Sequence, residues 1–296
     1  MIVQWLPDFL QFLKFEKRYS QHTLVAYEKD LSQFLSFIDG QFGITDAAGL
    51  THFHVRSWLA TMKDDKQSAR TINRKLSSLN SYYKYLQRLG RVEKNPVRQL
   101  HSQKLPERLP SYLKESETTN LLEEIQFDEG FKGFTDRMIC NMLYQTGMRR
   151  SELLQMKEKD IEWALKQVRI LGKGNKERLV PLSPQLLADI RAYLDDKKQL
   201  ENYDNSHLLV LENGKPLYEG YVYRTVKKYL GTVTSLAKKS PHVLRHTFAT
   251  HLLNNGANIQ AIKDLLGHSS LAATQVYTHN NIEQLKDIHK TSHPRG

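Results

Sequence analysis

The stretch that decides how this chain is read begins Ser240-Pro241-His242-Val243-Leu244-Arg245, continues through Leu265-Leu266-Gly267-His268 and ends at Gln275-Val276-Tyr277. Serine is a preferred helix N-cap and proline is favoured at the first helical position, so a helix is predicted from Pro241. His242 and Arg245 are three apart and share one face of its first turn, beside N–H groups that favour an anion. A second helix is predicted from an Asn258 cap through Ile259, Ile262, Leu265 and Leu266, closed by Gly267 and leaving His268 just past its end. Ser269 or Ser270 can cap a further short helix that carries Tyr277 about two turns on. Singly, each residue has an ordinary structural reading: solvent-facing His242 and Arg245, a core His268, a packed Tyr277 ring. A metal site built from His242, His246, His251 and His268 is disfavoured for want of thiolate or clustered carboxylate ligands.

The rest of the chain supplies the context. Its 296 residues suit two domains of ordinary size. Lys and Arg number 43 against 32 Asp and Glu, a net charge of +11 that favours a polyanionic partner, nucleic acid ahead of a membrane surface. No stretch approaches the ~20 apolar residues of a membrane span, and the opening residues lack a signal-peptide pattern, so a soluble, cytoplasmic protein is expected. The single cysteine, Cys140, lies in an apolar run and reads as a small buried hydrophobe.

The first hundred residues read as helices. Leu24, Tyr27, Leu31, Phe34, Leu35 and Ile38 recur at helical spacing behind a Ser20 cap, with Gly40 expected to stop the run. From Ser68 to Leu89, Ile72, Leu76, Leu79, Tyr83 and Leu86 make one face. Arg70, Arg74, Ser77, Ser81, Lys84 and Arg88 make the opposite stripe. That stripe is either a solvated charged face or a DNA-facing one; it contains no acid, and its hydroxyls can bond phosphate. Residues 101–110, with two prolines and no periodicity, read as a linker between a domain over 1–100 and another over 111–296.

Beyond the linker the pattern is mixed. Helices are predicted over Glu117–Ile125, Phe134–Tyr144, Arg149–Met156 after a break at Gly147, Pro184–Leu194 and Glu219–Leu236. Strands are predicted over Ile161–Leu165, Val168–Leu171 and Glu177–Pro181. The turn Gly172-Lys173-Gly174-Asn175-Lys176 has the glycines of a hairpin loop, so Lys173 is either surface decoration or a mobile ammonium able to reach a site. The fold class expected is mainly α with a small β-sheet. Arg149 follows a glycine break with Glu152 three residues on, close enough to orient it or simply to form a surface pair.

Together Arg149, Lys173, His242, Arg245, His268 and Tyr277 outline a phosphoryl-transfer centre. Two arginines can hold nonbridging phosphate oxygens and neutralise transition-state charge without a metal. A tyrosine hydroxyl, with a reference pKa near 10, needs a base or cationic surroundings to attack, and a lysine can protonate the departing oxygen.

On these residues the chain resembles the tyrosine recombinases of the phage integrase family, most closely the bacterial Xer group. The matching segments are Thr146–Leu153, Leu171–Pro181, His242–Leu253, Leu265–Ser270 and Tyr277–His279, supported by Ser20–Leu31, Arg70–Leu79, Asn95-Pro96 and His293–Arg295. The resemblance implies an N-terminal SAM-like helical core-binding domain and a C-terminal α+β catalytic domain. By the same resemblance Arg149 and Arg245 clamp the scissile phosphate, Lys173 is the general acid, His242 assists proton transfer and His268 bonds the phosphate. Tyr277 forms a 3′-phosphotyrosyl link, and Glu152 supports the clamp. No cofactor is implied, because the covalent link conserves the bond energy for rejoining.

The resemblance further implies double-stranded DNA at a specific recombination site as partner, in a homotetramer or a heterotetramer with a related recombinase. A cell-division DNA translocase is a further expected partner, and the C-terminal helix, over 281–290, is expected to dock on a neighbouring protomer. Resolution of chromosome or plasmid dimers before cell division is the task implied. A mobile-element integrase is the alternative, disfavoured because no arm-binding domain precedes the core-binding helices. A type IB topoisomerase and an inactive DNA-binding protein fit less well.

Overall fold

A computed structural model describes residues 2–105, 112–172, 176–267 and 287–295 of the chain. The chain divides into two compact units, Met1–Arg108 and Leu109–Gly296.

The first unit is helical. After a 3-10 turn at Ile2–Trp5 come α1 (Leu6–Phe15), α2 (Gln21–Phe42), α3 (His52–Asp64) and α4 (Ala69–Arg88). Ser20 and Ser68 cap α2 and α4 by accepting from the Thr23 and Thr71 N–H groups at 3.4 and 3.2 Å. The apolar face of α4, Ile72, Leu76, Leu79, Tyr83 and Leu86, is buried against the core that Phe9, Phe34 and Ile38 also fill. Gly40 does not end α2. The helix runs to Phe42 and Gly43 closes it at φ 61°, because an interior glycine costs only about 1 kcal/mol while the left-handed residue that unwinds the chain comes three positions later. Past α4, the Asn73 side chain pairs with the Gln103 backbone, donating to its carbonyl at 2.9 Å and accepting from its N–H at 2.7 Å. Residues 101–105, expected to be linker, are thereby fastened to the first unit.

The second unit is built around α6 (Gly130–Thr146), whose residues from Met138 to Thr146 are all buried. Before it, α5 (Glu115–Thr119) passes into a π-helical turn at Asn120–Glu124, so this helix starts two residues earlier than expected. The Glu117 carboxylate accepts from the Lys114 N–H at 2.8 Å, which fixes that start. After α6 come α7 (Arg150–Gln155), then β1 (Ile161–Glu162), β2 (Gln167–Leu171) and β3 (Glu177–Pro181), an antiparallel sheet of order β1-β2-β3. Leu171 faces Glu177, and the Gly172 N–H donates to the Lys176 carbonyl at 2.7 Å, which closes the hairpin. β1 is shorter than its apolar run suggests, because the chain turns by Lys166 at φ 49°.

Next follow α8 (Pro184–Lys197), α9 (Glu219–Val233), α10 (Pro241–Asn254) and α11 (Ile259–Leu266). α6 packs against α8, α9 and α10. α9 stops three residues before Leu236, and its Tyr221 and Thr225 hydroxyls donate to buried Asp136 of α6 at 2.8 and 3.0 Å. α10 begins at Pro241 as predicted, yet Ser240 does not cap it: its Oγ is buried with no hydrogen-bond partner among the described residues. Asn258 does cap α11, accepting from the Gln260 N–H at 2.8 Å. No helix among the described residues is long and apolar enough to cross a membrane.

A helical stretch over 287–292 lies against the same unit. His289 donates from Nε2 to the Gln145 carbonyl at 3.2 Å, and its ring stacks on His293 with centroids 4.9 Å apart. Phe248 and Tyr144 flank the pair. Burial holds both imidazoles below their ordinary pKa, His293 well below it and further lowered by His289 and His251. Below about pH 6.5 the unfolded chain therefore binds protons that the folded chain refuses, so stability falls as pH drops through that window. A full proton of difference is worth about 1.4 kcal/mol per pH unit, roughly 3–5 °C in melting temperature for a unit of this size. Melting temperatures taken from pH 7.5 to 5.5 should decline, and His293→Phe, which keeps the stack without the titration, should flatten the decline.

Candidate active site

Three arginines converge on the last carbonyls of α11. Arg178 Nε donates to the Leu265 carbonyl at 2.8 Å, Arg245 donates to Leu266 at 2.8 Å, and Arg149 reaches Gly267 at 3.4 Å. A helix C-terminus carries unsatisfied carbonyls and the negative end of the macrodipole, so cations settle there. Gly267 ends the helix at φ 64°, and a Cβ on it would lie 3.0 Å from Arg178 Cδ.

Each arginine is anchored a second time. Arg149 is the N-cap residue of α7: its N–H and one guanidinium nitrogen both donate to Glu152, each at 2.7 Å. Arg178 of β3 grips the same carboxylate through both terminal nitrogens at 3.0 and 2.7 Å. Arg245 of α10 donates to the Gly147 carbonyl at 2.5 Å. Burial alone would raise the Glu152 pKa, but hydrogen bonds and charge from Arg178, then Arg149, hold it below the ordinary carboxylate value. Burial and the neighbouring Arg149 and Arg178 charges push Arg245 down to about 10, so it remains cationic at neutral pH. His242, exposed one turn earlier on α10, is held below its usual pKa by desolvation and by Lys238, Arg245, Arg149 and Arg150, which favours the neutral imidazole. Arg149 keeps 38% of its side chain exposed whereas Arg178 keeps 3%, so Arg149 can meet an incoming anion and Arg178 cannot.

Residues 111–284 match the phage integrase family, and residues 6–90 match its N-terminal SAM-like domain. The chain is 37% identical to the tyrosine recombinase XerC of Halalkalibacterium halodurans, over 99% of this chain and 98% of that one. It is 38% identical to XerC of Staphylococcus haemolyticus, over 97% and 96%. A solved structure of XerH bound to a palindromic difH substrate covers 97% of this chain and 94% of its own, with a TM-score of 0.71 and 20% identity, a likeness of fold. The chain belongs to the phage integrase family. It is a site-specific tyrosine recombinase, an enzyme of DNA strand exchange.

Of the site residues expected from the sequence of this recombinase, Arg149, Glu152, His242 and Arg245 come together around the end of α11. Lys173, His268 and Tyr277 lie outside the described residues, as does most of the expected 281–290 helix. Among the described residues no group of three potential ligands could hold a metal. His251, once a conceivable ligand, is fully engaged: Nε2 donates to the Leu113 carbonyl at 2.7 Å, which leaves Nδ1 to accept from the Tyr144 hydroxyl at 2.9 Å. Thr247 accepts from the Leu113 N–H at 3.0 Å, so this pair pins the start of the catalytic unit onto α10.

In the first unit, Arg70, Arg74, Ser77, Lys84 and Arg88 of the α4 stripe are exposed and Ser81 is half-buried. The stripe holds no acid of its own, but two reach it from elsewhere: buried Asp30 of α2 pairs with Arg74, and Glu16 lies 3.3 Å from Arg88, whose guanidinium sits over Phe12. Arg70 and Lys84 have no ion-pair partner among the described residues. Arg178 is the member of this cluster that the sequence did not single out. Its signal was a lone arginine in the strand after the Lys173 hairpin, where alternation alone calls for an apolar or surface residue.

Gly147 is where the site tolerates least change. It sits at φ 59°, and a Cβ would fall 2.4 Å from Phe248 Cδ1 and 3.0 Å from Leu266 Cδ2. Gly147→Ala should cost about 1 kcal/mol for the backbone plus roughly 1–3 kcal/mol for overpacking. Gly256→Ala, also at positive φ but in open space, should cost only the backbone part. Denaturant midpoints of the two variants test the difference, and equal losses would remove the Phe248 clash as a cause.

Proposed function

We propose that the chain cleaves and rejoins DNA by metal-independent transesterification at a specific site, with Arg149 and Arg245 as the phosphate clamp. The observation that carries this reading is the convergence of those two guanidiniums on adjacent carbonyls, Gly267 and Leu266. Among the described residues one carboxylate, Glu152, serves both Arg149 and Arg178, and Arg245 meets only carbonyls. The cluster thus keeps an excess of positive charge where a five-coordinate phosphorus would build negative charge.

In this reading the Tyr277 oxygen attacks phosphorus as its proton passes to neutral His242, and the P–O5′ bond breaks. Lys173 gives its proton to the departing 5′ oxygen, leaving a 3′-phosphotyrosyl bond. Neutral His242 takes part in proton transfer, and His268 hydrogen-bonds the phosphate. A 5′ hydroxyl from the partner duplex then attacks the phosphotyrosyl bond, and tyrosine leaves. The names and near-complete coverage of the XerC relatives support a cytoplasmic Xer-type enzyme that resolves chromosome or plasmid dimers, working as a homotetramer or with a second recombinase. A cell-division DNA translocase is a further expected partner.

A nicked suicide duplex carrying a candidate chromosomal site should trap a denaturation-resistant adduct without added magnesium. Tyr277→Phe should abolish it. Arg149→Ala and Arg245→Ala should each slow it roughly 10²- to 10³-fold, the usual loss when one transition-state donor is removed. An adduct that survives Tyr277→Phe, or needs magnesium, would overturn the mechanism. Arg70→Ala and Lys84→Ala should weaken binding to any sequence and each lower the slope of log K against log salt by about 1. An unchanged slope would return the stripe to a solvated face.

A further inference from the structure

Arg178 is too deeply buried to touch DNA, yet each of its three guanidinium nitrogens is committed to the site. Its two terminal nitrogens meet Glu152 fork to fork, its Nε meets the Leu265 carbonyl, and its side chain is 3% exposed. The carboxylate it grips is also the one that orients Arg149, through a guanidinium contact and a backbone contact of 2.7 Å each. One negative charge is therefore shared between two positive ones. Without Arg178, Glu152, itself 5% exposed, would have Arg149 as its single ion-pair partner among the described residues, and the carboxylate would compete with phosphate for that guanidinium.

We propose that Arg178 is a positioning residue for strand cleavage: by taking up part of the charge of Glu152 it leaves the charge of half-exposed Arg149 only partly compensated and available to the phosphate. Arg178 can act this way only if Arg149 holds the scissile phosphate as proposed above. Lysine cannot substitute, because a point charge with one nitrogen cannot grip both carboxylate oxygens and the Leu265 carbonyl together. The same guanidinium also ties β3 and α7 to the end of α11, so the residue that sets the charge of Arg149 also sets its distance from Gly267.

The test uses the full-length protein, a nicked suicide duplex, single-turnover rates of adduct formation and gel-shift measurement of DNA binding. Arg178→Lys should bind DNA within about threefold of the parent and form adduct at least roughly tenfold more slowly. Combined with Arg149→Lys it should add less than about twofold to that variant's own defect, since a residue acting through another gives non-additive losses. Arg178→Met leaves the buried Glu152 carboxylate leaning on Arg149 alone among the described residues, whereas Arg178→Met with Glu152→Gln removes both buried charges of that pair and should fold more readily. The double variant should cleave at least about fivefold faster, per folded molecule, than Arg178→Met.

Parental cleavage by Arg178→Lys, multiplicative losses with Arg149→Lys, or no gain on adding Glu152→Gln would each overturn the role of Arg178. If the single variants do not fold, the double variant decides alone: cleavage within about tenfold of the parent supports charge compensation, and a larger loss overturns it. Parental cleavage by Arg149→Lys, or an adduct from Tyr277→Phe, would instead sink the clamp reading itself.

Discussion

The catalytic unit depends on one carboxylate. Glu152 lies almost fully buried between two guanidiniums, and each of those reaches on to the C-terminal carbonyls of α11. Desolvating a carboxylate is costly unless its oxygens are satisfied, and here four donors satisfy them. α7, β3 and α11 are distant in sequence, and any displacement of one strands a charge on another. The geometry of Arg149 is thus enforced by the penalty for breaking the network, more than by the strength of any single pair.

The charge balance of the site follows from that arrangement. Arg149, Arg178 and Arg245 face a single buried carboxylate, with carbonyl dipoles making up part of the difference. Helix carbonyls are the suitable counterweight: they hold a guanidinium in place without cancelling its charge, so the field remains available to an anion. Burial first, and that surplus second, depress the pKa of Arg245 and favour the neutral state of His242. A neutral imidazole beside a clamp of fixed cations can accept or relay a proton, which a permanently charged group could not.

What the sequence made legible was whatever local chemistry determines. The Asn258 cap, the start of α10 at Pro241, the closure of α11 at Gly267 and the apolar face of α4 each depend on residues within a turn or two of one another. So does the pairing of Arg149 with Glu152, which a spacing of three allows. Arg178 was not legible, because its meaning lies in partners 26 and 87 positions away. The α4 stripe shows the same limit from the other side. Its lack of acids was correctly read from the sequence, but Asp30, 44 positions upstream, supplies one to Arg74 in space. Gly40 was misread because a glycine inside a helix and a glycine that ends one are alike in sequence and differ only in φ.

The pairing of α6 with α10 links the site to both ends of the catalytic unit. Gly147, at the end of α6, gives its carbonyl to Arg245 of α10, and it must be glycine because Phe248, one turn further along α10, occupies the space a Cβ would need. Phe248 in turn flanks the His289 and His293 rings. On the same two helices, Tyr144, Thr247 and His251 hold Leu113 at the unit's beginning. A shift of α10 along α6 would therefore disturb Arg245, the histidine stack and the Leu113 anchor together. Packed interiors resist such sliding because they lack free volume, so the seam between these helices transmits position from the ends of the unit to the Arg245 guanidinium.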